Sequence, residues 1–367
     1  MTSGLPRMLI VGGAPMQREV PEWQGYRCVC LPRERAQFVD FRDGTWSARI
    51  DERMVDEFVA ECAAHDLVFC ESGEALILVT EWNRRGIEPR PILALEVDGH
   101  QQVVVIGDWY RTARGFDPVP GLLGTPWVSW VATSEAQASR LEAAGIERRF
   151  LHRVPTGASI FSMLSTRAGQ MLSGEPASGG GSIPTAGTVL FPGNGRRDWS
   201  VLVEAVLGLR DLPCTMVGGS VQDLRRRFRA RGSGWPRNLR YVESVPLERY
   251  IQLVGAARVA VVPLLPGSGD GGHSTIAIVH RLGVPLVCTD SPALVEYVDG
   301  GRAAQLCPAG DAAALVRAVR SVFGDEELRQ ALAAGGKRAE HARDLECTRG
   351  LRAAIDRARG SLPRSQA

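Results

Sequence analysis

The stretch Val261 to Asp290, "VVPLLPGSGDGGHSTIAIVHRLGVPLVCTD", carries the residues of this chain whose types and spacing best suit chemistry. An apolar run at Val261, Val262, Leu264 and Leu265 reads as a buried strand. It breaks into a loop holding Gly267, Gly269, Gly271 and Gly272 before a helical pattern begins at Ser274. Residues without a side chain let backbone amides come close to a ligand. A helix starting just beyond leaves its first N–H groups unpaired and its positive dipole end exposed. An anion is the natural occupant, and His273, Ser274 and Thr275 would present amides to it. A second set lies in "LALEVDGHQQ", where Glu96, Asp98 and His100 follow a strand at its carboxyl end. Acidic and imidazole groups there can orient a ligand hydroxyl or accept its proton, while a plain "DGH" turn fits the same letters. Glu71, Ser72 and Glu74 after "DLVFC" suit a polyhydroxylated or amino ligand, or the cap of the next helix.

These groups need elements to hold them, and the chain alternates strand with helix throughout. In the first half "RMLIVGG", "DLVFC", "PILALEV" and "WVSWVAT" read as strands. From Asp51 to His65 the residues Met54, Val55, Phe58, Val59 and Cys62 form one buried helical stripe, and another helix opens at Ser134 with Gln137 as a capping box and Gly145 as its stop. Trp109 and Tyr110 fall in an apparently irregular region, open to core packing or to stacking on a ring ligand. The second half restarts the alternation with "TVLFPG", a helix from about Asp198, "CTMVGG", a basic helix, "LRYVES", "PLERYIQLVGAA", "VAVVPL" and "PLVCTD", then helices capped near Asp311 and Asp325. Repeated strand then helix means parallel sheets, and two doubly wound Rossmann-like domains place ligands at the carboxyl ends of their strands.

The length of 367 residues exceeds one ordinary core. The predicted division is 1–167 for the first domain, 168–187 for a Gly, Ser and Pro-rich linker with little to bury, 188–340 for the second domain, and 341–367 for a C-terminal helix, packing back on the first domain, and tail. A net charge of +2, with 44% hydrophobic and 23% charged residues, describes a globular chain and argues against a duplex nucleic-acid binder. The basic run Arg225 to Arg231 reads as a solvated helix face. Eight cysteines without a CxxC pair predict buried thiols rather than a metal site. No signal-like segment or span of ~20 apolar residues is seen, which predicts a cytoplasmic protein without stable membrane insertion. Arginine replaces lysine everywhere but at Lys337, a bias of high-GC genomes such as an actinomycete's.

The second half resembles the nucleotide-sugar-binding domain of GT-B glycosyltransferases, in particular the retaining enzymes of glycosyltransferase family 4. The resemblance rests on an ordered series, "FPGNGRRDWSVLVEAV", "CTMVGGS", "NLRYVESVPLERYIQLVGAARVAVVPL", the Gly-rich loop, "HRLGVPLVCTDSPALVEYVDGG" and "DAAALVRAVRSVFGDEELRQAL". The first half is similar to the family only through "ATSEAQASRLEAAGIERRFLHRVPTG". The resemblance implies an α/β GT-B fold, two Rossmann-like doubly wound domains facing a cleft. It puts Arg196 and Arg197, in the loop with Gly193, where the family offers an Arg and a Lys to the donor's diphosphate. Guanidinium groups suit phosphate oxygens and the charge on a departing nucleoside diphosphate. The family's two glutamates, eight residues apart, fall on Asp270, which would reach sugar hydroxyls, and on Ile278, which cannot hold a ribose diol. Gly12 and Gly13 stand where GT-B enzymes bring a turn near the donor phosphates and acceptor, though any tight turn after a strand uses glycine. His280, two turns into the helix, reads as packing.

The function so implied is transfer of a sugar from a nucleoside-diphosphate donor to a small-molecule hydroxyl acceptor, with retention, in actinobacterial natural-product or polysaccharide biosynthesis. Asp98, His100 and Asp270 are the catalytic candidates; Gly12, Gly13, Gly193, Arg196, Arg197, Gly271, Gly272, His273, Ser274 and Thr275 are the donor-binding ones. No cofactor and no metal are expected, since no DxD-type cluster stands where the fold would use one. A pseudo-transferase that keeps the site and has lost the chemistry, motivated by Ile278, and a sugar-nucleotide epimerase are the alternative readings. The oligomeric state is not legible.

Overall fold

The computed structural model describes residues 5–361 except 12–18, 24–25, 32–34, 37, 43–44, 96–100, 164–165, 174–186, 194–195, 244 and 267–270. The chain divides into two compact units. Unit 1 comprises Met1–Pro155, Met163–Thr166 and Cys347–Ala367; unit 2 comprises Thr156–Ser162 and Arg167–Glu346.

In chain order unit 1 runs β1 (Arg7–Val11), β2 (Glu19–Trp23), β3 (Tyr26–Leu31), β4 (Val39–Arg42), β5 (Thr45–Ala48), α1 (Glu52–Ala63), β6 (Leu67–Glu71), α2 (Ser72–Arg85), β7 (Ile92–Leu95), α3 (Gln101–Arg114), α4 (Val119–Leu123), β8 (Val128–Ala132), α5 (Glu135–Ala143) and β9 (Leu151–Arg153). Seven strands form one sheet in the order β2-β3-β1-β6-β7-β8-β9, antiparallel only at β2–β3, and β4 pairs β5 apart from it. The sequence reading finds the parallel strands β1, β6, β7 and β8 because each is a buried apolar run. Helix α1 begins where Asp51 accepts the Met54 N–H at 3.0 Å and buries the expected stripe of Val55, Phe58, Val59 and Cys62. Each such side chain contributes about 1.5 to 3 kcal/mol relative to exposure. At α5, Ser134 accepts the Gln137 N–H at 3.1 Å, as a capping residue should.

Unit 2 follows with α6 (Thr166–Leu172), β10 (Val189–Pro192), α7 (Trp199–Gly208), β11 (Cys214–Val217), α8 (Val221–Ala230), β12 (Leu239–Val242), α9 (Leu247–Gly255), β13 (Val259–Val262), α10 (His273–Arg281), β14 (Leu286–Thr289), α11 (Pro292–Val295), β15 (Gln305–Cys307), α12 (Ala312–Gly324) and α13 (Glu326–Gly360). Its six strands are all parallel, in the order β12-β11-β10-β13-β14-β15. In sequence rank that is 3-2-1-4-5-6, the doubly wound order, and its direction of travel reverses between β10 and β13. The loops after those two strands therefore open beside each other at one end of the sheet.

Three expectations need correction. The linker expected over 168–187 is helical at its start, because α6 buries Ala168 and Leu172. The separate helix expected from 341 is the continuation of α13, one helix of 35 residues with no helix break between 340 and 341. It groups with unit 2 as far as Glu346 and with unit 1 from Cys347. Trp109 and Tyr110 lie in helix α3, where Tyr110 is wholly buried and donates to Glu81 Oε1 at 3.1 Å. Among the described residues, Cys62, Cys70, Cys214, Cys288, Cys307 and Cys347 are free and buried, as the spacing implies. No described helix is long and apolar enough to cross a membrane.

Candidate functional site

The loop after β10 is built around an arginine turned inward. Arg197 is 3% exposed. Its guanidinium donates to the Pro192 carbonyl from Nε at 3.2 Å and from Nη2 at 3.0 Å, and Nη2 also donates to Thr275 Oγ1 at 3.1 Å. Burial pulls its pKa below the ordinary arginine value, with the neighbouring Tyr250 acting the other way. Such a group keeps its proton. The side chain therefore brings a desolvated cation to the point where the sheet order reverses. Thr275, in the first turn of α10, also shares a 3.1 Å hydrogen bond with the Tyr250 hydroxyl from α9.

Backbone bonds tie the two loops together. Asp198 N–H donates to Pro263 O at 2.9 Å, Leu265 N–H donates to Arg196 O at 3.2 Å, and Arg197 bridges Leu264. Thr289 Oγ1 accepts the Leu264 N–H at 2.9 Å. Asp198 caps α7 by accepting the N–H groups of Ser200 and Val201. Arg196 sits at φ 52°, a region side chains rarely adopt, and is half-buried. Two glycines are required by space. A Cβ on Gly193, at φ 78°, would lie 3.0 Å from Arg197 Nη2 and 3.3 Å from Thr275 Oγ1. One on Gly272, at φ 83°, would lie 3.1 Å from Val262 and 3.7 Å from Arg197 Nη1.

The structure thus brings together Gly193, Arg196, Arg197, Gly271, Gly272 and Thr275 of the expected donor-binding set; a Cβ on Gly271 would meet Arg196 Cβ at 3.2 Å. Ser274 is exposed at the same helix start. His273 opens α10, but its ring is stacked on Tyr297. Ile278 is 1% exposed in a helix buried on nearly every side, and His280 is buried as packing. Asp270, Gly12, Gly13, Asp98 and His100 lie outside the described residues. In unit 1, Ser72 and Glu74 are buried at the head of α2, at the carboxyl end of β6, and Glu71 makes no side-chain cap bond there. Trp109 and Tyr110 line a cavity of about 360 Å³ with Glu81, Arg84, Arg85 and Arg114. The sequence reading missed Tyr250 and Thr289. Both fall in elements it identified, yet nothing local distinguishes a tyrosine or threonine whose partner lies 25 residues away.

Residues 186–325 match the family model of glycosyl transferases group 1. That match covers less than half of the chain, and the chain has the GT-B fold. Over 228 residues the chain is 27% identical to a phosphatidyl-myo-inositol mannosyltransferase of Mycobacterium leprae, a match covering 58% of this chain and 56% of that protein. The chain thus spans little more than half the length of that curated relative. Among solved structures it is similar to Anabaena Alr3699/HepE in complex with UDP-glucose, with a TM-score of 0.61 at 14% identity over 96% of this chain and 100% of that one. A sucrose-phosphate synthase from Thermosynechococcus elongatus gives 0.59 at 13% identity, covering 96% and 99%. WaaG, a glycosyltransferase involved in lipopolysaccharide biosynthesis, gives 0.53 at 13%, covering 83% and 95%.

Proposed function

We propose that this GT-B chain transfers a sugar from a nucleoside-diphosphate donor to a small-molecule hydroxyl acceptor, with retention at the anomeric carbon and without a metal. The buried Arg197 guanidinium, set beside the head of α10 at the switch point of the unit 2 sheet, carries this reading. A diphosphate bound there would meet Arg196, Arg197 and the amides of the first helical turn, a fixed set of donors aimed where charge grows as the donor breaks. The similar HepE structure in complex with UDP-glucose supports a donor of that class. In the retaining step the bond from the anomeric carbon to the diphosphate oxygen breaks. The acceptor oxygen bonds that carbon on the same face, and its proton passes to the departing diphosphate. Asp270 is assigned to the sugar hydroxyls, and Asp98 and His100 to the acceptor. Actinobacterial natural-product or polysaccharide assembly is the proposed setting.

The test is incubation of the protein with UDP, GDP, ADP and dTDP sugars and a panel of polyols in EDTA, following diphosphate release and the anomeric proton of the product by NMR. Product with the donor's anomeric configuration is expected. Inversion, or turnover that stops when EDTA is added, overturns the mechanism; tight diphosphate binding with no release under any condition favours the pseudo-transferase.

A further inference from the structure

We propose that Tyr297 is a positioning residue for the diphosphate-binding turn, acting through the ring of His273; this rests on the reading of that turn given above. His273 is the first residue of α10 and is 7% exposed. Its ring lies flat on that of Tyr297, with centroids 4.1 Å apart and planes 3° apart. Parallel rings with their centroids this close are in stacking contact, so the place of one ring constrains the place of the other.

Tyr297 is held at three points. Its hydroxyl accepts the Thr156 N–H at 2.8 Å, its carbonyl accepts Arg343 Nη1 at 2.8 Å, and its ring carries the Arg343 guanidinium 4.7 Å from the centroid. Arg343 is itself fixed. Its Nε donates to Glu340 Oε2 at 3.1 Å, and Glu340 Oε1 accepts the Ala158 N–H at 2.6 Å. Arg343 Nη2 lies 3.3 Å from His280 Nδ1, while His280 Nε2 lies 3.1 Å from the Ala303 carbonyl. A carbonyl can only accept, so Nε2 carries the proton and Nδ1 receives the arginine's.

His273 and His280 are seven residues apart, two turns, and so lie on one face of α10. One arginine therefore governs both ends of that face, through Tyr297 at the first residue and directly at the eighth. Gripped twice by the same buried group, α10 can neither slide along its axis nor turn about it without breaking bonds that have no water to replace them. Its first N–H groups consequently point in one direction. Binding geometry tolerates little error, since a displacement of about 1 Å in a catalytic site costs roughly a hundredfold in rate.

The experiment measures UDP, GDP, ADP and dTDP affinity by calorimetry for the unmodified chain and for His273→Ala, His273→Phe, Tyr297→Leu and Tyr297→Phe. His273→Ala is expected to weaken the best diphosphate by about tenfold or more, and His273→Phe to recover at least about fivefold of that. Tyr297→Phe keeps the ring and should bind at least about fivefold more tightly than Tyr297→Leu. Tyr297 is wholly buried, so if its leucine variant fails to fold, the histidine pair decides alone. If His273→Ala binds within about twofold of the unmodified chain, the positioning role is overturned and the diphosphate site stands. If no diphosphate binds the unmodified chain, site and role fall together.

Discussion

Helices α2 and α10 hold equivalent places in the two sheets, and the contrast between them shows what topology decides and what it leaves to side chains. Each follows the strand hydrogen-bonded to the first strand of its sheet, β6 beside β1 and β13 beside β10. Each is buried along nearly its whole length, α2 from Ser72 to Trp82 and α10 from Thr275 to His280. The sheet thus delivers a helix N-terminus to a switch point twice. At α10 the neighbours are a buried guanidinium and two glycines; at α2 they are Ser72 and Glu74. The interiors differ in the same sense. Glu81 of α2 gathers Arg84, Arg85 and Tyr110; burial alone would raise its pKa, and those bonds outweigh that and lower it. His280 of α10 is driven the other way, to about 3, first by burial and then by the charge of Arg343. The α10 start, beside a buried cation, suits an anion; the α2 start offers a hydroxyl and a carboxyl, groups that hydrogen-bond to hydroxyls.

The largest effect expected of a single change is at Ile278. Since that side chain is 1% exposed, Ile278→Glu should bury a carboxylate in packing and lower stability by several kcal/mol, read as early melting with no gain in diphosphate affinity. A variant that melts normally and binds more tightly would move position 278 into the ribose site.

His280 comes next. Its folded pKa of about 3 lies below the ordinary unfolded value near 6.5. Between those limits the unfolded chain binds a proton that the folded chain refuses, so its contribution is complete above pH 6.5 and is lost as pH falls. From pH 7.5 to pH 5 this should cost about 2 kcal/mol, and urea unfolding of His280→Gln should show a correspondingly flatter acid limb. Equal slopes in the two proteins would mean that the imidazole is not held neutral.

The smallest effect belongs to α2. Glu74→Gln should leave diphosphate affinity within about threefold, because the donor site is assigned to unit 2, while lowering transfer to the acceptor. Loss of diphosphate binding in this variant would contradict the assignment of the donor site to unit 2.

Much of this was legible in the letters. The strands of unit 2 are short apolar runs, and Asp51, Ser134, Asp198 and Asp311 announce helix starts because each accepts an N–H two or three residues on. Strands β2, β4 and β5 were not legible, since "EVPEW", "VDFR" and "TWSA" lack a sustained apolar run. The charge of the unit 2 site was readable from Arg196 and Arg197, but the inward turn of Arg197 was not. It depends on Thr275, 78 residues away, and the clamp on His273 depends on Tyr297 and Arg343. Contacts of that range are made by the fold and leave no periodicity to read.

The central claim is that the turn joining Arg196 and Arg197 to the head of α10 binds a diphosphate, and calorimetric titration of the unmodified chain against the double variant Arg196→Ala, Arg197→Ala tests it most directly. Charge-assisted hydrogen bonds contribute ~1.5 to 3 kcal/mol each, so removing both groups should weaken the best of UDP, GDP, ADP and dTDP by at least about a hundredfold. Because Arg197 is buried, the melting temperature of the ligand-free variant must be followed alongside. A folded double variant that binds the diphosphate as tightly as the unmodified chain would contradict the assignment.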